Sequence, residues 1–369
     1  MHVIIGQNFR LSAVIGVLAL AAISNVSNAA SVWTGAVSTD WGTAGNWSPA
    51  TVPTSGKDVD IPTSPSGGRF PVMISGTYDV DKLEIRSGAT LTLNGGTIAI
   101  HDLVIAAGAA FYQQGGDIHF DHDWKNNGTF VATAGTVQFV GDAGGGGGGF
   151  GGTNQFFNVI VNAGVDPKFD KNTGAVIAIA GSFENYNTKL DNTTNATFVF
   201  NGSGNQTIYS ASTSPTFGNL VVNKPSGAVT LTSDLVVAGD AIVNDGTLDL
   251  GPNSLRRKTY GGTFALYGDS VLRVGRDFPS NFANVFIMPP AFVQYGDGVT
   301  LTISSANGAF QISGVGTPGR TYRLQSSDDL STGSWQDISG ASLTANGAGW
   351  FQFVDTTAAP QRFYRTVYP

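Results

Sequence analysis

The side chains best suited to chemistry lie between residues 100 and 126. Three of the four His residues of the chain are found there: His101, His119 and His122. Around His119, acidic side chains occupy alternate positions, and alternate residues of a β-strand share one face. The candidate site residues are therefore Asp117, His119, Asp121, Asp123 and Lys125.

This set is compatible with two kinds of chemistry. Carboxylate oxygens are ligands for Ca²⁺, and imidazoles for transition metals, so His119, Asp121 and Asp123 are candidate metal ligands. Carboxylates that hold Ca²⁺, with Lys125 as a proton acceptor, would form the acidic site of a lyase-like β-helix. The alternative is a solvated outer face. We expect the strand to turn near Asp121, which would scatter the carboxylates, so we predict no required cofactor.

A repeat of about 20 residues organises the chain around these side chains. Gly88, Gly108 and Gly128 follow one another at equal intervals, and Ile98 and Ile118 are separated by the same interval. Each repeat holds short β-type runs separated by Gly or Asn turns, without room for an ordinary helix. One such unit cannot bury its own apolar side, whereas stacked units share a core. The pattern predicts an all-β fold, a parallel β-solenoid interpreted as a right-handed β-helix.

The repeat also predicts the direction of His119. Ile118 and Phe120 fall at the apolar positions of the preceding repeat, so they should face the core. His119 is then expected on the outer surface, between Ala99 and Gln138 of the neighbouring repeats.

Composition narrows the choice of partners. Charged residues make up 12% of the chain, about half the usual share of ~25%. The formal net charge of −7 argues against nucleic acid as a partner. The chain has no Cys, so a stacked core must supply the stability that disulfides give many exported proteins.

Residues 1–29 have the pattern of a secretory signal. Arg10 precedes an apolar run over residues 11–23 that is short for a membrane span, and Ala29 ends a small-x-Ala cleavage pattern. No later stretch is apolar enough to cross a membrane. We expect a secreted protein, extracellular or on the outer cell surface.

Residues 30–76 precede the regular repeats and are rich in Trp and Pro. We predict that they cap the first turn of the solenoid, whose open end needs covering. A second possibility is an aromatic sugar-binding platform, with Trp33, Trp41 and Trp47 as the ligand-binding residues. The solenoid is predicted over residues 77–306, and an antiparallel β-sandwich with closely spaced strands over 307–369.

Longer motifs resemble known families. Thr-Val-Gln-Phe-Val-Gly at residues 136–141 recurs as Thr-Phe-Val-Phe-Asn-Gly at 197–202, which gives a longer period of about three turns. This super-repeat, over about 136–251, resembles repeats of secreted bacterial adhesin-like proteins. The opening around Trp33 and Trp41 resembles surface proteins with autotransporter-associated β-strand repeats. Residues 308–369, with the segment Gly-Arg-Thr-Tyr-Arg-Leu-Gln-Ser-Ser, resemble a small fibronectin-III-like domain. These resemblances imply a surface architecture and transfer no catalytic residues.

Two functions from different classes follow. The first is a non-enzymatic structural or adhesive surface protein that binds cell-surface or matrix polysaccharide, or other copies of itself. The second is a polysaccharide lyase or hydrolase that uses the acidic, Ca²⁺-binding face of the β-helix. A β-helix alone does not decide between them, since one fold hosts many functions.

Overall fold

The computed structural model describes residues 30–141, 149–190, 193–275, 277–295, 300–306, 309–316, 321–329, 333–346, 350–357 and 361–367. The expected signal segment, residues 1–29, lies outside the described residues. The predicted fold class is confirmed: the described chain is nearly all β, with a parallel solenoid followed by small antiparallel sheets. A single turn of 3₁₀ helix, Ala44–Asn46, is the only helix in the part of the chain that the structure describes. No described helix has the length and apolarity needed to span a bilayer.

The solenoid strands, in chain order, are β1 (Ser31–Trp33), β2 (Trp47–Ser48), β3 (Val59–Ile61), β4 (Val72–Met73), β5 (Thr77–Ile85), β6 (Thr90–Leu93), β7 (Thr97–Ile105), β8 (Ala110–Gln113), β9 (Asp117–Asn126), β10 (Thr129–Ala132), β11 (Thr136–Phe139), β12 (Gly149–Phe150), β13 (Thr153–Phe156), β14 (Asn158–Val161), β15 (Val176–Ile179), β16 (Phe183–Asn185), β17 (Thr197–Phe200), β18 (Gln206–Ser210), β19 (Asn219–Leu231), β20 (Leu235–Val237), β21 (Ala241–Asp249), β22 (Leu255–Leu266), β23 (Val271–Val274), β24 (Ser280–Ile287) and β25 (Phe292–Tyr295).

These strands form three faces, and the chain visits them in a fixed order. Face 1 holds the first halves of β5, β7 and β9, then β11, β14, β16, β18, the ends of β19 and β21, β23 and β25. Face 2 holds β1, β3, the second halves of β5, β7 and β9, β12, β20 and the start of β22. Face 3 runs from β4 through β6, β8, β10, β13, β15 and β17 to parts of β19, β21, β22 and β24. Equivalent strands stack in parallel over about eleven turns.

Alternation along each strand builds the interior. In β7, for example, Ile98, Ile100, Leu103 and Ile105 are buried while the residues between them face outward. One apolar cluster runs through the whole stack. Glycine at a corner explains the spacing of the repeat: Gly116 has a φ of +70°, and an added Cβ would lie 2.4 Å from the carbonyl oxygen of Gly96 one turn earlier.

The two ends of the solenoid differ. At the N-terminal end the parallel pairing begins before residue 77, because Ser31 of β1 lies beside Val59 of β3, and three Trp rings cover the first turns. At the other end β24 pairs only with β22 among the described strands. Its Val285 and Ile287 continue the inward column of Phe264 and Leu266 yet are 45% and 40% exposed. The last turn therefore leaves part of the core uncovered.

The C-terminal region consists of β26 (Thr300–Ala306), β27 (Ala309–Val315), β28 (Thr321–Ser327), β29 (Gln336–Thr344), β30 (Trp350–Asp355) and β31 (Phe363–Val367). Two three-stranded antiparallel sheets, β26-β27-β30 and β29-β28-β31, share a small core of their own. Ile312 and Phe351 contribute from one sheet, and Tyr322 and Leu324 from the other. The antiparallel part thus begins at Thr300, a few residues before the expected boundary at 306.

Candidate functional site

A pair of interlocked His–Asp contacts lies where β7 and β9 pass from face 1 to face 2. His101 Nδ1 is 2.7 Å from Asp121 Oδ1, and His122 Nδ1 is 2.6 Å from Asp102 Oδ1. The two imidazole rings are stacked, with centroids 4.5 Å apart and planes 6° apart. We call these four residues the His–Asp corner. Each side chain thus reaches across to the neighbouring turn.

A β-bulge creates this arrangement. Ile100 pairs with Phe120 and Asp102 with Asp123. Between these paired positions β7 has one residue and β9 has two. The extra residue breaks the alternation, and both Asp121 and His122 become exposed. Bulges redirect side chains in this way, and here the bulge brings His122 against Asp102.

The carboxylates fix the state of the rings. In a neutral imidazole the nitrogen that faces a carboxylate carries the proton and Nε2 is an acceptor, whereas in a protonated imidazole both ring nitrogens donate. The hydrogen bond to Asp102 raises the pKa of His122 above its ordinary value, despite some desolvation, and the charges of nearby Asp residues act in the same direction. The corner therefore favours protonated His122 facing a carboxylate.

The ring geometry does not suit a metal ion as it stands. Single ligand atoms of His101, Asp102 and His122 lie within 4.8 Å of one another. However, imidazole binds a metal in its ring plane, and one ion cannot lie in two stacked parallel planes. Ca²⁺ needs six to eight oxygen ligands, and here Asp102 and Asp121 are already hydrogen-bonded to imidazoles. The arrangement is that of two His–carboxylate hydrogen bonds.

The five candidate site residues from the sequence lie on two different faces of the solenoid. Asp117 and His119 are on face 1, and His119 pairs with Ala99 and Gln138 as predicted. Asp123 and Lys125 lie beyond the bulge, beside Asp102 and Val104 on face 2. Of the five candidates, Asp121 is the one that enters the His–Asp corner.

Sequence reasoning missed the other three members of the corner: His101, Asp102 and His122. The signal was nevertheless present, because His101 and Asp121, and likewise Asp102 and His122, are one full period of the repeat apart. Polar residues one repeat apart therefore predict contacts between turns in the same way as apolar residues do.

The three N-terminal Trp rings are buried. Trp33, Trp41 and Trp47 are 0%, 0% and 3% exposed, and Trp47 makes edge contacts with the other two rings at 5.0 and 4.7 Å. The Nε1–H of Trp33 donates to the carbonyl of Arg69, and that of Trp47 to the carbonyl of Trp41. A sugar platform needs an exposed ring face, so this conformation does not support that hypothesis; the rings act as a cap.

A groove runs along the corner between faces 3 and 1. Its volume is about 710 Å³, and it crosses five successive turns. The lining residues are Val131, Ala132, Thr133, Gln155, Phe157, Asn158, Ala180, Gly181, Ser182, Asn201, Gly202, Ser203, Gly204, Asn205 and Pro225. None of them is charged, and amides and hydroxyls supply the polar groups. Two of these amides, Gln155 and Asn201, are hydrogen-bonded to each other.

A buried lysine lies beneath one wall of this groove. Lys224 is 1% exposed, and its Nζ donates to the carbonyls of Gly202 at 2.6 Å and Gly204 at 2.8 Å and to Oε1 of Gln206 at 2.6 Å. All three acceptors are neutral. Burial lowers the pKa of Lys224 to about 8. Lys224 is not among the sequence-predicted site residues, although strand alternation from Leu220 and Val222 points it inward.

Comparison with known proteins gives one partial match. Residues 32–134 are similar to a family described as a domain of unknown function (DUF8693). The match covers just over a quarter of the chain, including the Trp cap and the His–Asp corner. No curated protein and no solved structure matches the chain. The cap and first turns are thus similar to a family whose description names no activity.

Proposed function

We propose that the chain is a non-enzymatic extracellular structural protein of the adhesive, surface-exposed kind. In this proposal the solenoid presents its outer faces to cell-surface or matrix polysaccharide, or to other copies of itself. The main support is the single apolar cluster that extends from Trp33 to Ala291, because it commits the bulk of the chain to a stacked scaffold.

The state of the titratable groups supports the same view. The best acid–base candidates, those of the His–Asp corner, are exposed and hydrogen-bonded to each other. The groove has room for a saccharide, and none of its described lining residues has a carboxylate, an imidazole or an amine. General acid–base catalysis requires such a group within hydrogen-bond reach of the substrate.

A turnover assay tests the non-enzymatic part of this proposal. Purified protein is incubated with acidic and neutral polysaccharides, with and without Ca²⁺, and new reducing ends are measured. We expect none. If turnover occurs and is lost in Asp121→Ala but kept in Asp117→Ala, an exposed acid outside the corner, the enzymatic alternative replaces our proposal.

Antibody labelling tests the location. We expect intact source cells, or their matrix, to be labelled without permeabilisation. Labelling that requires permeabilised cells would contradict an extracellular role.

A further inference from the structure

The short loop over residues 202–205, between β17 and β18, turns two carbonyl groups inward. Lys224 Nζ binds the carbonyl oxygens of Gly202 and Gly204 at 2.6 and 2.8 Å. The peptide bonds that follow these carbonyls are trans, because the cis bonds lie at Pro49 and Pro290. In a trans peptide the C=O and the next N–H point in opposite directions.

It follows that the N–H groups of Ser203 and Asn205 point away from Lys224. Both residues are exposed and line the groove. Within the described residues neither N–H has a hydrogen-bond acceptor. Two peptide donors therefore point away from Lys224, on two residues that line the groove and are separated by Gly204.

The charge of Lys224 reinforces these donors. A cation that binds a carbonyl oxygen polarises the whole peptide group and makes its N–H a stronger donor. Because Lys224 is buried, little water screens its field. None of the groove-lining residues that the structure describes carries a compensating negative charge. Backbone N–H groups that lie close together in a turn form anion-binding sites in many proteins.

The rest of the groove has the chemistry of a saccharide site. Asn158, Ser182 and Thr133 offer amide and hydroxyl groups for sugar hydroxyls, while Phe157 and Pro225 offer apolar surface for ring faces. Five turns stacked at about 4.8 Å give a length of about 19 Å, which suits several sugar units in a row.

We propose that this groove binds a linear acidic oligosaccharide, with one carboxylate held by the N–H groups of Ser203 and Asn205. This inference rests on the proposed function as a protein that faces polysaccharide, and it names the ligand class and the site. A free anion would use the loop alone, whereas a saccharide would use the loop and the distant end of the groove together.

Isothermal titration calorimetry with a six-unit oligouronate tests the site. We expect it to bind at least about tenfold more tightly than a neutral oligosaccharide of the same length or inorganic sulfate. Ser203 is exposed, so its substitution should not disturb the core. Ser203→Glu should weaken oligouronate binding at least about tenfold through like-charge repulsion, while the matched control Ser203→Gln should change it less than about twofold.

A second variant tests the length of the site. Thr133 is exposed and lies three turns from Ser203, so Thr133→Trp should block the far end of the groove. It should weaken the oligouronate at least about fivefold and leave a single uronic acid unaffected.

Equal binding of the neutral saccharide, equal effects of Ser203→Glu and Ser203→Gln, or sulfate binding as tight as the oligouronate would each overturn the inference. The same samples are assayed for new reducing ends. Cleavage of a bound oligouronate would refute the proposed non-enzymatic function and leave the site standing. Absence of binding, without turnover and with surface labelling, would refute the site alone.

Discussion

Burial of Lys224 makes the stability of the solenoid depend on pH in a defined direction. The pKa of Lys224 falls from 10.5 in the unfolded chain to about 8 in the folded protein. Between these values the unfolded chain binds more protons than the folded one, so the free energy of unfolding rises with pH. Below pH 8, Lys224 is protonated in both the folded and the unfolded chain, so this increase in the free energy of unfolding is absent.

The size of the effect follows from the same two values. Each pH unit of pKa difference corresponds to about 1.4 kcal/mol, so the full gain is about 3 kcal/mol. Between pH 7 and pH 10, integration of the two titrations gives about 2.5 kcal/mol. The replacement Lys224→Met keeps an unbranched side chain and removes the titration.

The assay is urea unfolding followed by circular dichroism at pH 7 and pH 10. Other groups, including Tyr residues, titrate in both proteins, so only the difference between wild type and variant is compared. We expect wild type to gain about 2.5 kcal/mol over Lys224→Met between these pH values. The control Lys258→Met removes an exposed lysine and shows the effect of losing one positive charge at the surface.

Parallel pH dependence of wild type and Lys224→Met would refute this reasoning. It would mean that the Nζ of Lys224 reaches water in the folded state. The relative stability of the two proteins at pH 7 does not enter the test, because the variant also leaves the carbonyls of Gly202 and Gly204 without their donor.

Three further predictions concern the corners, the cap and the His–Asp pairs. Gly116→Ala should lower the free energy of unfolding by at least about 2 kcal/mol, because it combines a positive φ with a backbone clash. The control Gly68→Ala has the same φ of +70° but open space around the added Cβ, so it should lower the free energy of unfolding less. Urea unfolding measures both. Trp47→Ala should lower the free energy of unfolding by about 3–5 kcal/mol, because it leaves a cavity in the cap. It should also speed amide hydrogen exchange in β1 and β3. NMR titration should place the pKa of His122 above its ordinary value, and Asp102→Asn should lower it by removing the main partner.

Each of these predictions has a contrary outcome. Equal costs for the two Gly replacements would show that the close approach between turns contributes nothing. Unchanged exchange in β1 and β3 would remove the capping role of Trp47. If the pKa of His122 stayed the same in Asp102→Asn, its carboxylate contact would not persist in solution.

The fold was accessible from the sequence because a solenoid repeats both its apolar and its glycine positions. The spacing of Gly88 and Gly108 predicted the first turns, and the match of Ile118 with Ile98 gave the register that places His119 outside. Later turns lengthen: Phe198 pairs with Leu220, a wider separation in the chain than that of Ile98 and Ile118. The extra residues lie in corners, where alternation gives no signal.

The candidate sites were less accessible, since each depends on a departure from the repeat. The sequence predicted a turn near Asp121 that would scatter the carboxylates, but it did not predict the bulge that brings His122 against Asp102. Lys224 next to Pro225 has the composition of a turn, yet its side chain is buried. In both cases the direction of the side chain depends on contacts between neighbouring turns. Predicting those contacts requires the exact length of every corner.

The unequal ends of the solenoid give its assembly a direction. Strands of neighbouring turns pair with one another, so a turn that has folded stabilises the turn next to it. The Trp-covered end is made first during synthesis and can fold before the later turns leave the ribosome. We therefore expect growth to proceed from the amino terminus, one coil at a time. Val285 and Ile287 are then the surface at which this growth stops, rather than the place where it starts.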